Sequence, residues 1–214
     1  MNTYESFMIK INGFWVPEND VHLKDWQDGK SFTQNKCLDR LIKHCQKEDI
    51  KFKKIIDVGA WVGTWTMSML DYCEQAVAIE PDPMHYECLV KNLPSEVQTH
   101  QCAIGNESKF VSLSDDNFTQ ARRVMGEGKI PMVTIDSLNI KEVDLIKIDV
   151  EGYEMEVLRG AAKTLENADY LMIELNNNSK KYGSSNLEIE KYLAKLGFKP
   201  MIKLWPDVVW RKKG

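Results

Sequence analysis

No stretch of this chain stays apolar for the roughly 20 residues that a bilayer crossing requires. Residues 1–10 are polar where a secretory leader needs its hydrophobic segment, so the chain reads as soluble and cytoplasmic, without a membrane partner. Cysteine is sparse and scattered. Cys37, Cys45, Cys73, Cys88 and Cys102 include no C-x-x-C pair, and their odd number argues against a disulfide framework or a zinc knuckle. The histidines, His22, His44, His85 and His100, include no i, i+4 pair of the kind a helical metal site uses, so no metal is expected. An excess of positive charge is also missing: 28 Lys and Arg stand against 32 Asp and Glu, a balance that argues against a nucleic-acid partner and for a small acceptor. What is present is 214 residues, 43% of them hydrophobic, enough for one well-filled domain and too few for two of ordinary size.

Along the chain, strand and helix signals alternate. Phe7 to Val16 is rich in Phe, Ile, Trp and Val around Asn12-Gly13, which predicts a short N-terminal hairpin. Cys37, Leu38, Leu41, Ile42 and Cys45 recur at helical spacing and predict an amphipathic helix from about Phe32 to Lys47, lying across the opening of a sheet. Residues 1–50 thus read as a hairpin and helix packed on a core that occupies 51–214. From Phe52 the order is strand to Val58, helix Val62 to Tyr72, strand Ala76 to Glu80, helix Pro83 to Asn92 and strand Val97 to Ile104. Lys109 to Leu113 and Ile130 to Ile135 read as a hairpin around a long, mobile polar loop, Ser114 to Lys129, in which Arg122 and Arg123 form a solvated charge pair. Val143 to Val150 is a buried strand, Tyr153 to Leu165 a helix, Tyr170 to Leu175 a strand and Asn186 to Leu196 a helix. Phe198 to Leu204 and Val208 to Arg211, parted by Trp205-Pro206-Asp207, predict a closing antiparallel hairpin.

The most informative segment is Asp57-Val58-Gly59-Ala60-Trp61-Val62-Gly63, answered downstream by Ala78-Ile79-Glu80-Pro81. A strand, a glycine turn, a helix and a second strand ending in a carboxylate form the usual cradle for an adenosine-containing cofactor. A dinucleotide needs a third glycine where Trp61 stands, so that its pyrophosphate can reach the helix N-terminus. A carboxylate at Asp57 suits the ammonium and sulfonium of S-adenosylmethionine (SAM) and would repel a phosphate. The pattern favours SAM.

Leu145-Ile146-Lys147-Ile148-Asp149-Val150-Glu151-Gly152-Tyr153-Glu154, followed by Val157-Leu158-Arg159-Gly160-Ala161, resembles the signature of the FkbM family of SAM-dependent methyltransferases, whose core reads K-I-D-V-E-G-x-E. Thr134-Ile135-Asp136-Ser137-Leu138 is similar to the family's T-L-D-S-L, and Asp57-Val58-Gly59-Ala60 to its D-x-G-A. The resemblance runs from about Ile55 to Leu175. It implies an α/β fold of the class I methyltransferase type, a Rossmann-like three-layer sandwich around a seven-stranded, mostly parallel sheet whose last strands form the antiparallel hairpin. It also implies SAM as cofactor, O-methylation of a hydroxyl on a small molecule or carbohydrate, and adenine contacts from Pro81, Asp82, Cys102 and Ala103. Trp61 departs from the family, which more often has a small or amide residue there, and reads as packing on the N-terminal segment.

In a parallel sheet the carboxyl ends of the strands face one crevice, so Asp57, Glu80, Asp149 and Glu174 should meet in an acidic cleft. The cofactor-binding candidates are Asp57, Gly59, Ala60, Gly63, Glu80, Pro81, Cys102, Ala103 and Asp149, with Glu80 on the ribose hydroxyls. The catalytic candidates are Asp149, Glu151 and Lys147. Either carboxylate offers an acceptor contact, a proton acceptor or a cation ligand, although Glu151 also suits a helix cap. Lys147 sits in an apolar strand and needs one of these carboxylates as partner. A nicotinamide oxidoreductase is the competing enzyme reading; the missing middle glycine, the absent Tyr-x-x-x-Lys pair and the closing hairpin stand against it. A SAM-fold binding module without chemistry is the third reading, against which Asp149 and Glu151 stand.

Overall fold

The computed structural model describes residues 7–20, 23–24, 36–114 and 123–212. At the N-terminus β1 (Met8–Ile11) and β2 (Phe14–Pro17) pair antiparallel about Asn12-Gly13, both in the left-handed region that the turn requires. Helix α1 (Lys36–Glu48) follows; residues 32–35, where its start was expected, lie outside the described residues. Then come β3 (Phe52–Val58), α2 (Thr64–Met69), β4 (Cys73–Ile79), α3 (Pro83–Asn92) and β5 (Gln98–His100). Three short strands, β6 (Ala103–Ile104), β7 (Lys109–Val111) and β8 (Ile130–Val133), lead to β9 (Leu145–Ile148). The chain closes with α4 (Glu154–Arg159), α5 (Ala162–Asn167), β10 (Tyr170–Glu174), α6 (Asn186–Lys195), β11 (Phe198–Leu204) and β12 (Asp207–Lys212).

Seven strands form one sheet in the order β11-β12-β10-β9-β3-β4-β5. The run from β10 to β5 is parallel, and β12 is antiparallel to both of its neighbours. Such a sheet must be apolar on both faces, which is why its central strands read as near-continuous hydrophobic runs. Alternate residues serve opposite layers. Ile56, Ile146, Ile148, Leu171 and Ile173 pack on Val157, Leu158, Leu165, Ile189 and Leu193 from α4, α5 and α6. Ile55, Leu145, Tyr170 and Met172 pack on Leu38, Leu41, Trp65, Met69 and Leu89 from α1, α2 and α3. This is the three-layer α/β sandwich that the resemblance implied, with its closing hairpin and its N-terminal hairpin and helix.

Four details differ from the sequence reading, each for a local reason. The strand expected over 97–104 breaks in two. Beyond β4 the neighbouring chain reaches Pro81, which has no N–H to give, and at Gln101-Cys102 the strand leaves the main sheet so that β6 can pair with β8. The helix expected over 153–165 is interrupted at Gly160, where a Cβ would stand 1.9 Å from the Gly105 carbonyl oxygen. Asp136 then caps the continuation, accepting from Lys163 N at 3.0 Å and Thr164 N at 2.9 Å, which accounts for the Asp of the Thr134–Leu138 motif. Third, α2 starts at Thr64 and closes in a 3₁₀ turn, Leu70–Tyr72. Finally, α1 does not lie across the opening of the sheet; its buried Cys37, Leu38, Leu41 and Cys45 cover Phe52, Ile55 and Val209, because an apolar helix face needs an apolar surface and the opening is acidic. No helix among the described residues is long and apolar enough to cross a membrane.

Candidate active site

The strand order reverses between β3 and β9, and over the carboxyl ends there lies a cavity of about 400 Å³, a usual size for a small-molecule site. One end is walled by Gly59, Trp61, Ile79, Glu80, Pro81, His85, Cys102, Ala103 and Ile104. Asp149, Val150, Glu151 and Glu174 line the other, with Leu113 and Val124 from the β7–β8 connection at the rim. Residues 115–122 of that connection, Arg122 among them, lie outside the described residues.

Glu80 leaves β4 directly into the first end and is 6% exposed. Its Oε2 accepts from Trp61 N and its Oε1 from Asp82 N, both at 2.9 Å. Burial pushes its pKa up to about 7, although His85 and the two amides oppose the shift. Asp82 belongs to the helix instead: its Oδ1 accepts from Met84 N at 2.9 Å and His85 N at 3.0 Å, capping α3 ahead of Pro83. The packed apolar residues Ile79, Cys102 and Ile104 leave Glu80 as the carboxylate at this end, a combination that fits an adenosine better than a phosphate.

Between the ends stands a buried charge pair. Asp57 is fully buried and lines no part of the cavity; its Oδ2 accepts from Thr66 Oγ1 at 2.6 Å and its Oδ1 lies 3.1 Å from Lys147 Nζ. Lys147, opposite it in the register of β3 and β9, also donates to Gly59 O at 2.8 Å and lies 3.5 Å from Asp149 Oδ2. Burial alone would push the ammonium's pKa down, but Asp57 and Asp149 hold it above the usual lysine range. The charge of Asp57 is therefore neutralised from within, not offered to a ligand. Nor do Ala60 and Gly63 reach the cavity: Ala60 is core, and a Cβ on Gly63 would meet Leu89 Cδ1 at 2.9 Å. At Gly59 a Cβ would sit 1.8 Å from the Asp149 carbonyl oxygen. Both glycines are thus required by the approach of neighbouring protein, at φ values of +74° and +89°.

At the second end Asp149, Glu151 and Glu174 bring carboxylate oxygens within 4.8 Å of one another, a grouping able to hold a cation. Two side-chain amides bind it together. Asn176 Nδ2 donates to Glu174 Oε2 at 2.7 Å and Glu151 Oε2 at 3.2 Å, and Asn178 Nδ2 to Glu151 Oε2 at 3.0 Å. Burial, reinforced by Asp149 and Glu151, pushes Glu174 up to about 9. Burial and Asp149 also raise Glu151. Glu151 is not the helix cap: Tyr153 occupies that position without a side-chain bond, while Glu154 Oε1 accepts from Gly152 N at 2.7 Å. Instead Glu151 holds a left-handed φ of +56°, which costs a non-glycine residue on the order of 1 kcal/mol and turns its side chain into the cavity.

With this geometry in view, the model of the methyltransferase FkbM domain matches residues 57–200. The chain belongs to the FkbM methyltransferase family. Among curated proteins it is 30% identical over 142 residues to methyltransferase 1 of Beauveria bassiana, covering 50% of this chain and 57% of that protein. It is 24% identical over 147 residues to the hexuronic acid methyltransferase AglP of Haloferax volcanii, covering 64% and 59%. The chain thus spans less than two thirds of the length of either relative. Among solved structures, the methyltransferase FkbM from Methylobacillus flagellatus KT superposes with a TM-score of 0.57 at 19% identity, over 75% of this chain and 43% of that one. An rRNA methylase from Streptococcus thermophilus superposes with a TM-score of 0.51 at 12% identity, over 81% and 95%; both likenesses speak for the fold.

This FkbM chain brings Gly59, Glu80, Pro81, Cys102, Ala103, Asp149 and Glu151 to one cavity and leaves Asp57, Ala60, Gly63 and Lys147 behind its wall. Sequence reasoning missed His85, Asn176, Asn178 and the rim residues Leu113 and Val124. The triplet Asn176-Asn177-Asn178, two positions past a strand that ends in Glu174, was the available signal; His85 had none, since its role depends on which segment packs above α3.

Proposed function

We propose that this chain transfers a methyl group from SAM to a hydroxyl of a carbohydrate or similar small molecule. The observation that carries the reading is the division of one cavity between a single buried carboxylate, Glu80, and a carboxylate–carboxamide cluster, Asp149-Glu151-Glu174-Asn176, at the two ends of the switch point. Glu80 suits the ribose hydroxyls, with Pro81, Cys102 and Ala103 beside the adenine. SAM bound there supplies an electrophilic methyl group on a sulfonium. The protein's part is to place an acceptor oxygen in line with that carbon, exclude water and take the hydroxyl proton. Asp149 and Glu151 are the proton acceptors that the cluster offers, and Glu174, whose pKa burial and those two carboxylates raise, stands beside them. A ring of carboxylates and amides matches the alternating donors and acceptors of a sugar, and the hexuronic acid specificity named for the Haloferax relative supports the same acceptor class.

Calorimetric titration with S-adenosylhomocysteine (SAH) and with NADH tests the cofactor: binding of the first alone is expected, and binding of NADH alone would overturn the reading. Transfer of labelled methyl to a panel of uronic acids, neutral sugars and phenols tests the acceptor. Labelling confined to the phenols would overturn the carbohydrate assignment, and binding of SAH without transfer to any hydroxyl would favour a binding module.

A further inference from the structure

Asp20 lies ahead of the family-matched segment, yet it is only 4% exposed and packs beneath the Glu80 end of the cavity. Its Oδ2 accepts from Trp61 Nε1 at 3.1 Å and lies 3.6 Å from His85 Nε2. On its other side the buried His85 ring brings Nδ1 to 3.9 Å from Glu80 Oε1 and 3.7 Å from Asp82 Oδ1. Asp20 therefore touches the two residues that adjoin Glu80, one through its backbone amide and one through its ring. Trp61 donates that amide to Glu80 from a left-handed φ of +51°, a conformation that a bulky residue keeps only when its surroundings over-determine it. The indole bond to Asp20 is one such constraint.

The segment that carries Asp20 is itself fastened at this place. Asn92, at the end of α3, accepts from Trp15 N at 2.7 Å and donates to Trp15 O at 2.9 Å, and the same amide donates to Val62 O at 2.8 Å in the glycine turn. Val16, Leu23, Val62 and Cys88 form a small apolar cluster around these bonds, with Trp61 packed against it. One side chain thus ties hairpin, helix and turn together.

From this geometry we infer that Asp20 and His85 are positioning residues for Glu80, so that the segment before β3 completes the ribose end of the cofactor site. The inference rests on the reading that this cavity takes SAM. A buried carboxylate grips a ribose diol only while it is held in place; Trp61 N and Asp82 N fix its direction, and the His85 ring, wedged between Asp20 and Glu80, packs against its Oε1.

The test is a comparison of ligands as well as variants, by titrating SAH and its 2′,3′-dideoxyribose analogue into the wild type, Asp20→Asn and His85→Asn. The wild type should bind SAH and bind the analogue more weakly. Each variant should lose about tenfold in SAH affinity, equivalent to ~1.4 kcal/mol, and nothing in affinity for the analogue, because the lost interaction is with the diol. Equal weakening of both ligands, or of neither, would make Asp20 and His85 structural supports and overturn the inference. Failure of the wild type to bind SAH would instead remove the SAM reading beneath it, a different outcome. Should Asp20→Asn not fold, Trp61→Phe, which deletes the indole N–H facing Asp20, carries the same comparison.

Discussion

Glu80 directly follows one strand and Glu174 ends another of the same sheet, and each faces the same cavity, yet their surroundings are opposite. Glu80 is gripped by two backbone amides with an imidazole beside it, and burial brings its pKa only to about 7. Glu174 stands against Asp149 and Glu151, is held by a side-chain amide, and reaches about 9. Backbone donors do not move, so the Glu80 end suits one invariant ligand. A cluster of like charges joined by carboxamides can exchange protons and hydrogen bonds, so the Glu174 end suits an acceptor whose hydroxyl must lose its proton. The two ends touch at Gly59, whose missing side chain makes room for the Asp149 carbonyl.

The contrast can be broken most severely at that contact. Gly59→Ala places a Cβ 1.8 Å from backbone at positive φ, and should destabilise the fold by about 4 kcal/mol or more, seen as loss of soluble protein or of a cooperative thermal transition. Next in size, Glu151→Gln should lower turnover by roughly 10²- to 10⁴-fold while leaving SAH affinity as it was, separating the acceptor end from the cofactor end. Unchanged turnover in steady-state assays would remove Glu151 from proton transfer. Glu80→Ala should do the reverse, weakening SAH by about 10- to 150-fold, or ~1.5–3 kcal/mol, in a calorimetric titration.

Two pH experiments sharpen the same comparison. As pH falls through about 7, Glu80 takes up a proton and can no longer accept from both ribose hydroxyls, so SAH affinity should fall, by at most about tenfold per pH unit, and Glu80→Gln should be flat over that range. The second concerns Glu174. Its folded pKa lies above the unfolded one, so the fold favours the protonated form, and stability is lost as pH rises from the unfolded value towards about 9. Glu174→Gln should therefore melt higher than the wild type at pH 8, with the gap closing at pH 4. A gap that widened on acidification would reverse the sign of this account.

Much of the frame was legible because it depends on spacing along the chain. The apolar runs at Ile55-Ile56, Ala76–Ile79 and Leu145–Ile148 announce buried strands, and the closing hairpin is written in Phe198 to Arg211 around Trp205-Pro206. The Glu80 position follows from the strand that precedes it. Less was legible where residues far apart in sequence compete for one partner. Asp57 has the right place in the motif for a ligand contact, but Lys147, 90 positions later, arrives opposite it in the register and neutralises it. Gly63 similarly answers to Leu89 of α3 and to Leu93 just past its end.

By itself, then, the order of residues determined the alternation of strand and helix, the parallel core and the carboxylates that end its strands, since hydrophobic period and turn chemistry are local. Only the tertiary structure decided which of those carboxylates face the cavity, which are neutralised inside the wall, and that Asp20 and His85 meet behind Glu80. Those choices rest on desolvation and charge pairing, which depend on what packs within a few ångströms and not on what is adjacent in the chain.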